Sequence, residues 1–106
     1  MIRKLGILLL LMAPAFPKAQ ESGDPRAGLR LAREVCAACH AVEAGQNRSP
    51  RAQAPTFTHI ALIPGMTTTA LTVALRTSHK TMPNIMLEPG ELRDVTAYIA
   101  SLQRQP

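Results

Sequence analysis

The chain is poor in the large side chains that usually fill a protein interior. It has no tryptophan, one tyrosine and two phenylalanines among 106 residues. It also lacks an apolar run of the ~20 residues that a membrane-spanning helix needs. Strand-like alternation and internal repeats are absent. Cysteine occurs only twice, so no others compete for pairing. These absences argue against a membrane-spanning protein and a β-sheet fold, and they leave one small domain short of apolar volume. Domains of this size are often stapled by a metal, a disulfide or another added group.

The longest apolar run, Leu5 to Ala13, follows Arg3 and Lys4. A charged start followed by a short apolar core has the form of a secretory signal peptide. Ala13-Pro14-Ala15 and Ala19-Gln20 offer two cleavage positions, after Ala15 or after Ala19. The expected organisation is therefore a leader over 1–19 and a mature domain over 20–106. Cleavage after Ala19 leaves 9 basic and 7 acidic side chains, a net charge of +2 against +5 for the whole chain. The high isoelectric point is then mostly a property of the precursor, and nucleic-acid binding loses its main support.

The two cysteines stand in Cys36-Ala37-Ala38-Cys39-His40. C-x-x-C-H reads as a c-type haem attachment site. Two thiols three positions apart can form thioethers to the two vinyl groups of one macrocycle. The adjacent imidazole then lies beneath the iron as its proximal ligand. A redox-active C-x-x-C pair would need a thioredoxin-like alternation of strands and helices, which is not there. One buried haem c would also supply the missing apolar volume. Export fits this reading, because bacteria attach haem c outside the cytoplasm.

The mature chain predicts an all-α domain of about three to four helices joined by loops rich in proline and threonine. Asp24-Pro25 is a helix start, with Asp as cap and Pro in the first position. The pattern runs through Leu31, Ala32 and Val35 into Cys36. Residues 46–55 read as loop. A helix begins near Thr67–Thr69, with Leu71, Ala74 and Leu75 on its apolar face. Met82-Pro83 makes an extended turn, because the residue before proline is pushed away from helix. Glu88-Pro89-Gly90-Glu91 opens the last helix. Leu92, Val95, Ile99 and Leu102 share one face there, with Tyr98 at its margin. This face is expected to pack on the first helix, with Gly28 allowing a close approach.

Opposite His40, the iron has candidate ligands in Met66, Met82, Met86, His59 and His79. Met82 is preferred, because a rigid turn between two helices can present sulfur without flexing. Met86 is the runner-up, with filling of an apolar gap as its alternative role. The other ring nitrogen of His40 needs an acceptor, as in metal-bound histidines generally. The Ala54-Pro55 carbonyls are the best candidates.

Taken together, Gly28, Cys36-Ala-Ala-Cys39-His40, Ala54-Pro55, Met82-Pro83 and Asp94-Val-Thr-Ala-Tyr98-Ile99 resemble the small class I c-type cytochromes of bacteria. The resemblance spans essentially the whole mature chain. It implies crossed first and last helices around one haem c, thioethers to Cys36 and Cys39, iron held by His40 and Met82, and the Pro55 carbonyl on His40. One departure is Ala32, where many relatives carry an aromatic residue, which leaves Tyr98 less to pack against. The implied function is a soluble, monomeric, periplasmic electron carrier with no catalytic residues. Its partners would be redox proteins: a dehydrogenase, an oxidase or a membrane cytochrome complex. Arg48, Arg51, Arg76 and Lys80 could form a docking rim for an acidic partner. The alternatives are a haem protein that binds or senses small gases, and a dedicated cytochrome subunit of a dehydrogenase or oxidase.

Overall fold

The structure is a computed structural model that describes residues 2–3, 6–13, 23–79 and 81–105. The two expected cleavage positions and Lys80 lie outside the described residues. Ile7 to Met12 are each at least 71% exposed, so this apolar run contributes nothing to the core.

Among the described residues the fold is helical, with no strand. Helix α1 spans Pro25–Leu31 and continues as a π-helical segment over Ala32–Cys36. Helix α2 is Phe57–Ala61, α3 is Thr68–Arg76 and α4 is Pro89–Ser101, which ends in a 3-10 turn over Leu102–Arg104. No helix among the described residues is long and apolar enough to cross a membrane.

Local chemistry sets most of the boundaries. The Asp24 carboxylate accepts from the Arg26 N–H at 2.9 Å, satisfying a donor that the first helical turn leaves free. Thr67 does the same for Ala70 at 3.0 Å, so α3 starts where its hydroxyl predicts. At α4, Glu88 and Glu91 form a reciprocal capping box around Pro89.

The core forms where α1 crosses α4, with α2 and α3 also packed on α4. Leu92, Val95, Ile99 and Leu102 are all buried, as their spacing predicts. Tyr98 is buried as well and does not sit at the margin. Ala32 is fully buried, and the aromatic contact to Tyr98 comes from Phe57 instead, with ring centroids 6.4 Å apart. The absence of an aromatic at position 32 therefore does not leave Tyr98 short of packing.

Gly28 sits at the helix crossing. A Cβ there would fall 2.0 Å from the Asp94 carbonyl oxygen and 2.8 Å from the Tyr98 Cβ. The Asp94 carboxylate also accepts from the Asp24 N–H at 2.8 Å, tying the start of α1 to α4. The close approach at Gly28 and this bond together fix how α1 leads into the cysteine pair.

Candidate haem-attachment site

The cysteine-histidine segment leaves α1 through the π-helical turn. The Ala37 N–H donates to the Ala32 carbonyl at 2.9 Å, five residues back. One extra residue per turn rotates the chain, and such turns are often found at functional sites. Cys36 ends this turn at 9% exposure, within the core cluster, while Cys39 is half-buried. Both are free thiols. Burial pushes the Cys36 thiol up to about 11, so it stays protonated at neutral pH. That is the reverse of the lowered thiol pKa typical of redox-active cysteine pairs.

The strap that follows is pinned residue by residue. The Cys39 carbonyl accepts from the Arg51 N–H at 3.2 Å. His40 Nδ1 lies 2.6 Å from the Pro55 carbonyl, which can only accept, so Nδ1 carries the proton and the Nε2 lone pair is left free. The Ala41 N–H donates to Ser49 Oγ at 3.0 Å, and the Ala41 carbonyl accepts from the Phe57 N–H at 2.9 Å. The Tyr98 hydroxyl donates to the Val42 carbonyl. Arg33 forks onto Glu43 at 2.5 and 3.2 Å, closing the strap against the π-helical turn.

These contacts shift the groups that make them. The Arg33 hydrogen bond holds the Glu43 carboxyl below its usual range. Burial, aided by the Glu43 charge and opposed by Arg33, raises the Tyr98 phenol, which therefore remains an O–H donor. Sequence reasoning missed Arg33, Glu43 and Tyr98 as supports of the strap. Tyr98 and Val42 are 56 residues apart, and nothing in local spacing pairs them.

The other predicted residues are dispersed. Met82 is half-buried in the loop between α3 and α4, and Met86 is 93% exposed. Met66 is partly buried against the core, and its carbonyl accepts from Gln103 at 2.9 Å. His59 and His79 are exposed. A hollow of about 380 Å³ opens beside His40, bordered by Ala37, Val42, Arg48 and Pro50. Met82 does not line it.

Residues 23–99 match the family described as cytochrome c oxidase, cbb3-type, subunit III. The chain is also 34% identical over 98 residues to Cytochrome c-552 of Bradyrhizobium diazoefficiens (strain JCM 10833 / BCRC 13528 / IAM 13628 / NBRC 14792 / USDA 110). That match covers 92% of this chain and 93% of the relative. The chain belongs to the c-type cytochromes. It is a small, all-α, monohaem, electron-carrying cytochrome with covalently bound haem c, and its partners are redox proteins. No solved structure matches it.

The residues present fit such a group. Among the described residues, no set of three or more His, Cys, Asp or Glu side chains converges as an all-protein metal site. Both thiols are unpaired, and the His40 ring has a free nitrogen whose orientation is already fixed. The interior is built of small residues such as Ala32, Ala41 and Ala61. Leu29, Leu31, Ile60, Met66, Leu75 and Leu87 touch the core yet stay only partly buried. This leaves an apolar rim suited to covering a flat apolar ring.

Proposed function

We propose that the cytochrome is exported, loses residues 1–19, and carries single electrons in the periplasm as a soluble monomer. Cys36 and Cys39 would hold the haem by thioethers, and His40, through Nε2, and Met82 would hold its iron. The Pro55 carbonyl fixes the His40 ring. The observation that carries this reading is the 2.6 Å contact between His40 Nδ1 and Pro55, directly after the cysteine pair. A donor locked to a carbonyl orients the ring and raises its basicity toward metal.

When bound, the haem supplies reversible one-electron chemistry. The chain's own residues orient it, exclude water from one edge and set its potential. A thioether opposite histidine raises that potential. Were His40 and Met82 both to hold the iron, no protein-free position would remain for substrate, which supports a carrier over a catalyst. The same ligation argues against gas sensing. The family description names an oxidase subunit, whereas the match to Cytochrome c-552 runs over nearly all of that protein. The carrier reading leads on the second ground.

The test is the visible spectrum of the haem-loaded protein in both oxidation states. The parent should show a low-spin c-type spectrum with the far-red sulfur-to-iron charge-transfer band. Met82→Ala should lose that band and become high-spin or take up an external ligand. Met86→Ala should keep it, because its side chain lies in solvent. Loss of the band in Met86→Ala alone would transfer the ligand role to that residue.

Charge along the chain supports an acidic partner. No Asp or Glu occurs from residue 44 to residue 87, a stretch that holds Arg48, Arg51, Arg76 and Lys80, while all seven acidic residues lie outside it. The partner surface would be an acidic patch on a dehydrogenase, an oxidase or a membrane cytochrome complex. Oxidation of the reduced protein by the anion hexacyanoferrate(III) should slow by about two- to five-fold as salt shortens the screening length from roughly 30 to 8 Å. Arg48→Gln/Arg51→Gln should flatten that dependence. An unchanged salt slope in the double variant would remove these arginines from the docking surface.

A further inference from the structure

The loop between α3 and α4 carries Met82 with little to hold it. At its start, the Thr77 hydroxyl donates to the Val73 carbonyl at 2.6 Å. At its end, the Glu88 N–H donates to the Glu91 carboxylate at 3.0 Å. Among the described residues between them, 78–79 and 81–87, no backbone N–H reaches a backbone carbonyl. Met86 is in solvent, and Leu87 alone of this stretch packs on the core. A segment with so few internal bonds belongs to the least stable part of a structure and opens readily. An iron ligand placed there would leave the metal often, unless something closed the loop.

One side-chain bond crosses it. The Ser78 hydroxyl donates to the Asn84 amide oxygen at 3.0 Å, spanning six positions. Its ends bracket Met82-Pro83, and Pro83 fixes its own φ within the bracket. We propose that Ser78 and Asn84 form a clasp that holds the Met82 loop closed and so slows displacement of the axial sulfur. They are positioning residues and touch neither iron nor macrocycle. The inference rests on Met82 as the ligand and adds the element that keeps it there.

Both partners lie at the surface, so the bond contributes little to global stability. Its effect should appear in loop opening. Opening is read directly by the rate at which imidazole displaces the sixth ligand of the oxidised haem-loaded protein. A net hydrogen bond corresponds to a factor of roughly 2 to 12 in the opening equilibrium. Ser78→Ala and Asn84→Ala should each speed imidazole entry by about five-fold, with the thermal midpoint nearly unchanged. The double variant should be no faster than either single, because both remove the same bond. Asn84→Asp should restore slow entry, since a carboxylate still accepts the Ser78 proton.

Entry rates within about two-fold of the parent in both singles would overturn the clasp, as would effects that multiply in the double variant. Met82→Ala separates this failure from failure of the ligand assignment. If the far-red band survives in Met82→Ala, the assignment falls and the clasp falls with it. If Met82→Ala loses the band while the clasp variants behave like the parent, only the clasp is wrong.

Discussion

Gly28→Ala is expected to lower the thermal midpoint of the haem-loaded protein by more than about 12 °C. The added Cβ would lie 2.0 Å from the Asp94 carbonyl oxygen and 2.6 Å from the carbonyl carbon. Both are backbone atoms inside α4, so no side-chain rotation relieves the clash. Alanine gains about 1 kcal/mol of helix propensity over glycine. Overpacking costs about 1–3 kcal/mol, and more where backbone must move. Here the clash wins, because separating α1 from α4 also pulls Asp24 from Asp94 and shifts the π-helical turn that places Cys36. A domain of this size holds on the order of 5–10 kcal/mol in all. A midpoint within about 4 °C of the parent would show that the crossing yields, and that Gly28 is not what sets its distance.

The second large effect is at Tyr98, where two variants separate packing from hydrogen bonding. Tyr98→Ala should lose about 3–5 kcal/mol, the usual cost of deleting a buried aromatic. Tyr98 is 6% exposed and its ring is tilted against Phe57, within the main core cluster. Tyr98→Phe keeps the ring and removes only the hydroxyl. It should cost about 1–3 kcal/mol, because the Val42 carbonyl is left buried without its donor. Unfolding of the haem-loaded proteins in denaturant gives both numbers. If the Phe variant matched the parent, the Tyr98–Val42 bond would contribute nothing, and the strap beyond His40 would be held by Ser49, Phe57 and Glu43 alone.

The two sites differ in how far they could be read from sequence. Gly28 was legible: a glycine within a strong helix pattern, eight residues before Cys36, is costly unless another backbone comes close. The caps at Asp24, Thr67 and Glu88 were legible for the same kind of reason, since each acts within three residues of itself. Helix α2 was not. Five residues give too short a window for periodicity, and only the Thr56 hydroxyl before Phe57 marks its start. The π-helical turn at Ala32–Cys36 was invisible as well, because counting positions cannot register one residue too many in a turn. Tyr98 was assigned to the margin of the α4 stripe from spacing alone, whereas Phe57 arrives from a distant segment and buries it.

The amino-acid sequence by itself determined two things: two thiols and an imidazole in one pentapeptide, and an apolar stripe on the last helix. Each of these is local, set by bond lengths and helical spacing that hold wherever the segment lies. Only the tertiary structure decided what supports that chemistry. Tyr98 reaches Val42, Arg33 closes on Glu43, and Asp94 holds the start of α1 from 70 residues away. Such pairs form between segments that meet only after the helices pack, so their partners are chosen by the crossing of α1 and α4 and by no spacing along the chain.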